Sequence, residues 1–241
     1  MNNHKIKILA FGAHPDDVEM SCAGTLMKHA ALGHSFGIVD LTRGELGTRG
    51  SAELRDTEAI NAGKIIGTTF RENLNFRDGF FMNDEQHQHA VIKMIRKYQP
   101  EIIFANAVSD RHPDHGKGAE LIRDSAFLSG LIKVETEFDG KQQHAWRPKT
   151  VYHYIQDKDL KPDFLVDVSE FTDKKMESIL AFNSQFFNPD SIEPSTYISS
   201  PDFLDALKGR MRLWGKIIGA SYAEGFTVNK IIGVEDILSM K

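Results

Sequence analysis

The chain has 241 residues, 41% hydrophobic and 26% charged, an ordinary balance for a globular protein that excludes disorder and collagen-like repeats. Lysine and arginine number 29 against 34 aspartates and glutamates, giving a net charge of -5 without a long basic run, so no nucleic-acid partner is expected. Cys22 is the only cysteine, which rules out an intramolecular disulfide and a cysteine-rich zinc finger and fits a reducing, cytoplasmic setting.

Taken in chain order, Lys5 to Phe11 reads as a buried strand. Its apolar stretch is too short for a signal peptide, and no window approaches the roughly 18 apolar residues of a membrane helix, so a soluble protein with no membrane partner is expected. Val18 to Leu32 reads as a helix closed at Gly33, a residue that tolerates the left-handed conformation. The unit then repeats, with a strand over Ser35 to Leu41, a glycine-rich loop from Thr42 to Gly50, a helix over Ala52 to Ile66 ending at Gly67, and a strand through Phe70 to Leu74. A third round places a helix over Asp84 to Tyr98, a strand over Glu101 to Asn106 and a helix over Gly116 to Leu131. The second half is less regular: an exposed-looking segment over Glu135 to Arg147, strands over Thr150 to Ile155 and Phe164 to Val168, and helices over Thr172 to Phe186 and Asp202 to Ile218. Between those helices, Asn188 to Pro201 holds three prolines and four serines and reads as a long loop. Strands alternating with helices predict an α/β fold, a Rossmann-like, mostly parallel sheet with helices on both faces, forming a single domain over residues 1–241.

In an open sheet of this kind, ligands bind beyond the carboxyl ends of the strands. Three such turns are unusually polar: 13–19 after the first strand, 42–50 after the second, and 110–115 after the fourth. The first and last pair histidine with aspartate. A catalytic zinc needs three protein ligands and one position left for water, and His14, Asp17 and His115 supply that set; ferrous iron suits the same ligands. Asp16 is then free to act as a base, while His112 lies beside the metal with Asp114 able to orient it by a hydrogen bond. Read singly, His14 to Asp17 is also a capped helix start and His112 to His115 a solvated turn. Their joint appearance at two strand ends of one sheet is what favours a metal site. Weaker signals lead nowhere: Gly44, Gly47 and Gly50 match neither the dinucleotide fingerprint nor a P-loop, Ser221 lacks the second glycine of a nucleophile elbow, and Cys22 reads as a buried structural thiol. Two other classes remain open here. A metal-dependent phosphoesterase often uses two metals about 3.5–4 Å apart, and a binding module with structural zinc needs a closed four-ligand site, against which the spare Asp16 argues.

The paired motifs Ala13-His14-Pro15-Asp16-Asp17-x-Glu19 and His112-Pro113-Asp114-His115 resemble the LmbE-like (PIG-L) family of zinc-dependent N-acetylglucosaminyl deacetylases. The similarity extends through Leu41 to Glu45, Arg55-x-x-Glu58, Asp78-Gly79, Phe182-x-Ser184-Gln185-Phe186 and Tyr222 to Phe226, and so covers nearly the whole chain. Cys22-Ala23 departs from the small residues usual there. The resemblance implies metal ligands at His14, Asp17 and His115, one ion per chain, a general base at Asp16, and an oxyanion-stabilising, protonated His112 with Asp114 as its orienting carboxylate. It also implies substrate contacts at Arg55 and Arg111, a mobile Tyr197 in the long loop, and a homo-oligomer, commonly a hexamer. Within the family the pattern is most similar to the bacillithiol-pathway branch, which acts on N-acetylglucosaminyl malate; a chitooligosaccharide is the alternative small-molecule substrate.

Overall fold

The computed structural model describes residues 5–239. Its first half follows the expected alternation: β1 (Ile8–Gly12), α1 (Asp17–Ala31), β2 (Phe36–Thr42), α2 (Ala52–Ile66), β3 (Arg71–Phe76), α3 (Glu85–Tyr98), β4 (Ile102–Ala105) and α4 (Pro113–Leu128). The second half adds β5 (Glu137–Phe138), β6 (Lys141–Gln142), β7 (Thr150–Tyr154), β8 (Phe164–Asp167), α5 (Thr172–Leu180), α6 (Pro201–Ile217) and β9 (Ala223–Val228). Seven strands form one sheet in the order β3-β2-β1-β4-β7-β9-β8, parallel except for β9, which runs antiparallel to both its neighbours. The chain leaves β1 toward β2 on one side and returns to β4 on the other. The strand order therefore reverses between β1 and β4, and the crevice beyond their carboxyl ends is where a ligand belongs.

Every position of β1 is buried because both its faces are covered. Leu9 and Phe11 pack with Val39, Leu41 and the α3 and α4 residues Ile95 and Leu121 on one face. Ile8 and Ala10 pack with Val18, Cys22 and Leu26 of α1 on the other. A third cluster joins Ala62 of α2, Ile179 of α5 and Leu207 of α6 around Phe182 and Phe186. Among the described residues, no helix is long and apolar enough to cross a membrane.

Three departures from the sequence expectations matter. Helix α4 begins at Pro113 rather than Gly116, with His112 as its N-cap, because proline at the first helical position has the right φ and no N–H to satisfy. The helix expected to reach Phe186 stops at Leu180; a tight turn follows, in which Glu58 accepts from the backbone N–H and the hydroxyl of Ser184, each at 2.7 Å. Strand β9 has no counterpart among the expected elements, and the exposed-looking segment 135–147 contains the β5–β6 hairpin. The loop 188–201 carries no helix or strand before α6 opens at Pro201.

Candidate active site and metal centre

The chain leaves β1 through a turn whose key residue is strained. Asp16 has φ 112°, the left-handed side of backbone space that a non-glycine residue occupies only when its surroundings hold it there. Arg55 of α2 does the holding, with Nη2 donating to Pro15 O at 2.6 Å and to Asp16 Oδ2 at 2.9 Å. Its Nη1 donates to Gly44 O at 3.2 Å, and a Cβ on Gly44, itself at φ 65°, would collide with that nitrogen. The glycine-rich loop is thus shaped around an arginine rather than a nucleotide. Burial raises the Asp16 carboxyl to about 7, with Arg55 pulling it down and Asp17 pushing it up. A carboxyl poised near neutrality is suited to moving a proton.

Asp17 opens α1 and lies between two imidazoles, its Oδ2 3.7 Å from His14 Nδ1 and its Oδ1 3.2 Å from His115 Nε2. It also accepts from His14 N at 3.0 Å, Asn106 Nδ2 at 2.8 Å and Gln156 Nε2 at 2.9 Å. Burial opposes its ionisation, but His115 and His14 outweigh that and hold the carboxyl well below the usual range. The far nitrogen of each imidazole meets another aspartate: His14 Nε2 lies 3.0 Å from Asp78 Oδ1, and His115 Nδ1 contacts Asp110 Oδ2. Carboxylates that fix one ring nitrogen and leave the other facing a shared point make the usual outer support of a metal-binding histidine. His14 is raised to about 10 and His115 to about 9, each against the effect of burial, by the carboxylates around them. That surplus of negative charge about buried nitrogen donors fits a divalent cation. The sequence-predicted trio of His14, Asp17 and His115 is therefore brought together. Nitrogens of His14, His112 and His115 also lie within 4.8 Å of one another, as do donor atoms of His14, Asp78 and Asp114.

His112 stands beside this cluster, its ring centroid 4.6 Å from that of His14. The Asp114 backbone N–H donates to His112 Nδ1 at 3.3 Å, which places the ring proton of a neutral imidazole on Nε2. Burial first, then the charges of His14 and His115, lowers its pKa from the usual value, against the opposing effect of Asp114 and Asp17, and this favours a neutral donor. Among the described residues, no hydrogen bond joins the Asp114 carboxylate to His112. That carboxylate accepts from Gly79 N at 2.7 Å and Lys117 Nζ at 3.1 Å and lies 3.5 Å from His14 Nε2. A cavity of about 270 Å³ opens over His14, Asp16, Asp17, Arg55 and His112 and reaches Arg111 and Tyr197 at its rim. There Asp157 accepts from Arg111 Nε and Tyr197 Oη, each at 3.1 Å, with the Arg111 guanidinium 4.5 Å from the Tyr197 ring centre. Arg43 and Arg49 are engaged elsewhere, on Asp56 and Ser191.

A family model described as PIG-L, GlcNAc-PI de-N-acetylase, matches residues 9–126, the span that carries both histidine turns. A conserved protein of Thermus thermophilus, of known structure, is 34% identical, superposes with a TM-score of 0.84, and shares 95% of this chain and 98% of its own. The chain belongs to the PIG-L deacetylase family. A diacetylchitobiose deacetylase of Thermococcus kodakarensis is 25% identical over 91% of this chain and 81% of its own length. A probable N-acetyl-alpha-D-glucosaminyl L-malate deacetylase of Bacillus anthracis is 24% identical over 77% and 84%.

This PIG-L site holds more than the sequence disclosed. Gln156 and Asn106 both reach Asp17, and Gln156 also accepts from Asn106 Nδ2 at 2.9 Å. Gln156 follows β7, whose carboxyl end adjoins that of β4, so extending the strand-end rule to that strand would have found it. Asp78 and Asp110 appear in the sequence as loop acids; only the fold shows that each faces one of the histidines.

Proposed function

We propose that this PIG-L family chain is a metal-dependent hydrolase of the N-acetyl group of an N-acetylglucosaminide, with N-acetylglucosaminyl malate as its preferred substrate, in bacillithiol biosynthesis. The observation that carries the chemistry is a buried carboxyl raised to about 7, Asp16, adjoining a cluster of metal-type donors on the floor of one cavity. His14 Nδ1, Asp17 and His115 Nε2 would hold the ion, zinc or ferrous iron. When bound, it supplies a Lewis acid that polarises the acetyl carbonyl and acidifies water. Asp16 takes the water's proton as the oxygen adds to the carbonyl carbon. His112 Nε2–H donates to the oxyanion that forms, an interaction worth on the order of 3 kcal/mol in sites of this type. Asp16 then returns its proton to the nitrogen as the C–N bond breaks, leaving a free amine and acetate. Asp114 supports the reaction through its carboxylate's contacts with His14 and Gly79 and through its backbone N–H on His112 Nδ1.

The substrate's sugar is supported by two relatives whose names both specify N-acetylglucosamine units, one a diacetylchitobiose and one a malate glycoside. Arg111, half exposed at the rim, is the contact offered to an anionic aglycone, and Tyr197 closes over it. Three of the five Arg55 N–H donors are spent on Gly44, Pro15 and Asp16, so its guanidinium is committed first to holding the Asp16 turn. The deciding experiment is turnover of N-acetylglucosaminyl malate, diacetylchitobiose and methyl N-acetylglucosaminide by metal-loaded protein, read as free amine. Fastest turnover of the malate glycoside is expected. No amine from any of them, with two metals per chain, would favour a phosphoesterase.

A further inference from the structure

Beside the catalytic cavity lies a second one of about 170 Å³, lined by Met20, Gln156, Asp157, Tyr197, Leu207 and Arg210 among others. Met20 and Tyr197 line both, so the two cavities adjoin across these side chains. Helix α6 buries Phe203, Leu207, Met211 and Trp214, and Arg210 projects from the edge of that apolar face. Its guanidinium lies 5.1 Å from the Trp214 ring centre, and Nη1 donates to the backbone carbonyl of Asp157 at 3.1 Å. Its Nε is shielded from solvent and has no hydrogen-bond partner. Among the described residues, no carboxylate lies within ion-pair distance of Arg210. The Asp157 carboxylate is committed to Arg111 and Tyr197. The side chain is only partly buried, but its Nε–H is left without a partner away from water, which is costly for a donor. Burial accordingly lowers its pKa from the usual value.

We infer that Arg210 forms an anion subsite in this second cavity, which takes a carboxylate or phosphate group carried on the substrate beyond the N-acetyl sugar. The sugar occupies the cavity over Asp16, and its substituent passes Tyr197 to reach the guanidinium. Arg111 holds the Asp157 carboxylate and lines the first cavity, while Arg210 holds the Asp157 backbone carbonyl and lines the second. Arginine suits the task because its planar fork presents parallel donors to an oxyanion. In a chain with net charge -5, overall steering does not favour an anion, so selection has to be local.

As a substrate subsite this rests on the deacetylase reading; as an anion site it does not, and the test separates the two. Binding of L-malate alone to the metal-loaded protein, followed by calorimetry, should weaken at least tenfold in Arg210→Gln and less in Arg210→Lys. Turnover is then compared for N-acetylglucosaminyl malate, N-acetylglucosamine 1-phosphate and methyl N-acetylglucosaminide. The Gln variant should lose at least tenfold of the wild-type preference, in kcat/KM, for one of the anionic substrates over the neutral glycoside, and which substrate it is tells carboxylate from phosphate. Equal losses on all three, or unchanged malate affinity, would overturn the subsite. If wild type turns over none of them, the deacetylase reading falls, and malate affinity alone decides whether Arg210 binds anions.

Discussion

At the scale of single residues, the site works by holding aspartates in different states. Asp17 is kept ionised by three hydrogen-bond donors and two imidazoles, whereas its neighbour Asp16 is raised toward neutrality by burial. Their roles should separate on mutation. Asp16→Asn is expected to retain a full equivalent of metal by elemental analysis and to lose at least about a hundredfold in kcat, the range for a general acid–base group; turnover near the wild-type rate would remove Asp16 from the mechanism. Arg55 ties the strained Asp16 turn to the glycine-rich loop through its two terminal nitrogens, so it serves every substrate alike. Arg55→Lys, which cannot reproduce that fork, is expected to lower kcat/KM on charged and neutral N-acetylglucosaminides by the same factor, tenfold or more by the order of ~1.5 kcal/mol for a charge-assisted contact. A loss confined to the malate glycoside would instead make Arg55 a reader of the aglycone.

At the scale of elements, legibility followed local pattern. The first four strands and helices show in the sequence because each is an apolar run or an amphipathic stretch with its own stop signal, such as Gly67 at φ 77° after α2. Strand β9 does not show, since Glu224 and Gly225 interrupt it and what makes them tolerable lies far away in the chain. Glu224 is buried because Gly24 N, Thr25 N and Thr25 Oγ1 donate to it at 2.6–3.0 Å and Lys175 Nζ completes the set at 2.5 Å. Gly225 leaves room for the Trp214 ring, which a Cβ would approach to 3.1 Å. The metal turns were readable for the opposite reason: ligand and base are close neighbours in sequence, and strand order alone brings the two turns together. Of the supporting carboxylates, Asp110 lies in the same 110–115 turn, whereas Asp78 comes from the loop after β3, and which histidine each one faces is set by the fold alone. Glu224→Ala should expose how much the unseen strand contributes. It strands the Lys175 ammonium and two amides of α1 without partners, and a loss of roughly 3–5 kcal/mol in denaturant unfolding is expected, as for breaking one side of a buried ion pair. A change below about 1 kcal/mol would mean that water reaches this network.

Across the whole molecule, the fold concentrates buried carboxylates at one end of its sheet. Asp16, Asp17, Asp78, Asp114 and the Asp110 side chain are all buried around His14, His112 and His115, in a chain that already carries net charge -5. Large apolar side chains meanwhile stand at the surface far from any core, including Ile132, Ile192, Ile231 and Leu238 at 87–100% exposure, and a homo-oligomer that covers part of them is expected; a monomeric mass in native mass spectrometry would exclude it. The acidic end makes a stronger demand, because buried carboxylates need cations among them; Arg55 meets Asp16 and Lys117 meets Asp114, and the carboxylates about the imidazoles need positive charge as well. Protons on His14 and His115 supply part of that charge here, and a divalent ion would supply it more fully. Metal binding should therefore appear in stability as well as in activity. One ion per chain, present at a hundredfold excess over its Kd, contributes about 2.7 kcal/mol through mass action. For a chain of this size that corresponds to a rise in Tm on the order of 5–10 °C. Chelation should lower Tm by that amount and one equivalent of zinc should restore it, while Asp17→Ala should show neither the bound metal nor the shift. Metal-free Asp17→Ala should also melt below metal-free wild type, because it leaves His14, His115 and three hydrogen-bond donors without the carboxylate between them. Full metal occupancy in that variant, or a wild-type Tm indifferent to chelation, would place the ion elsewhere in the molecule.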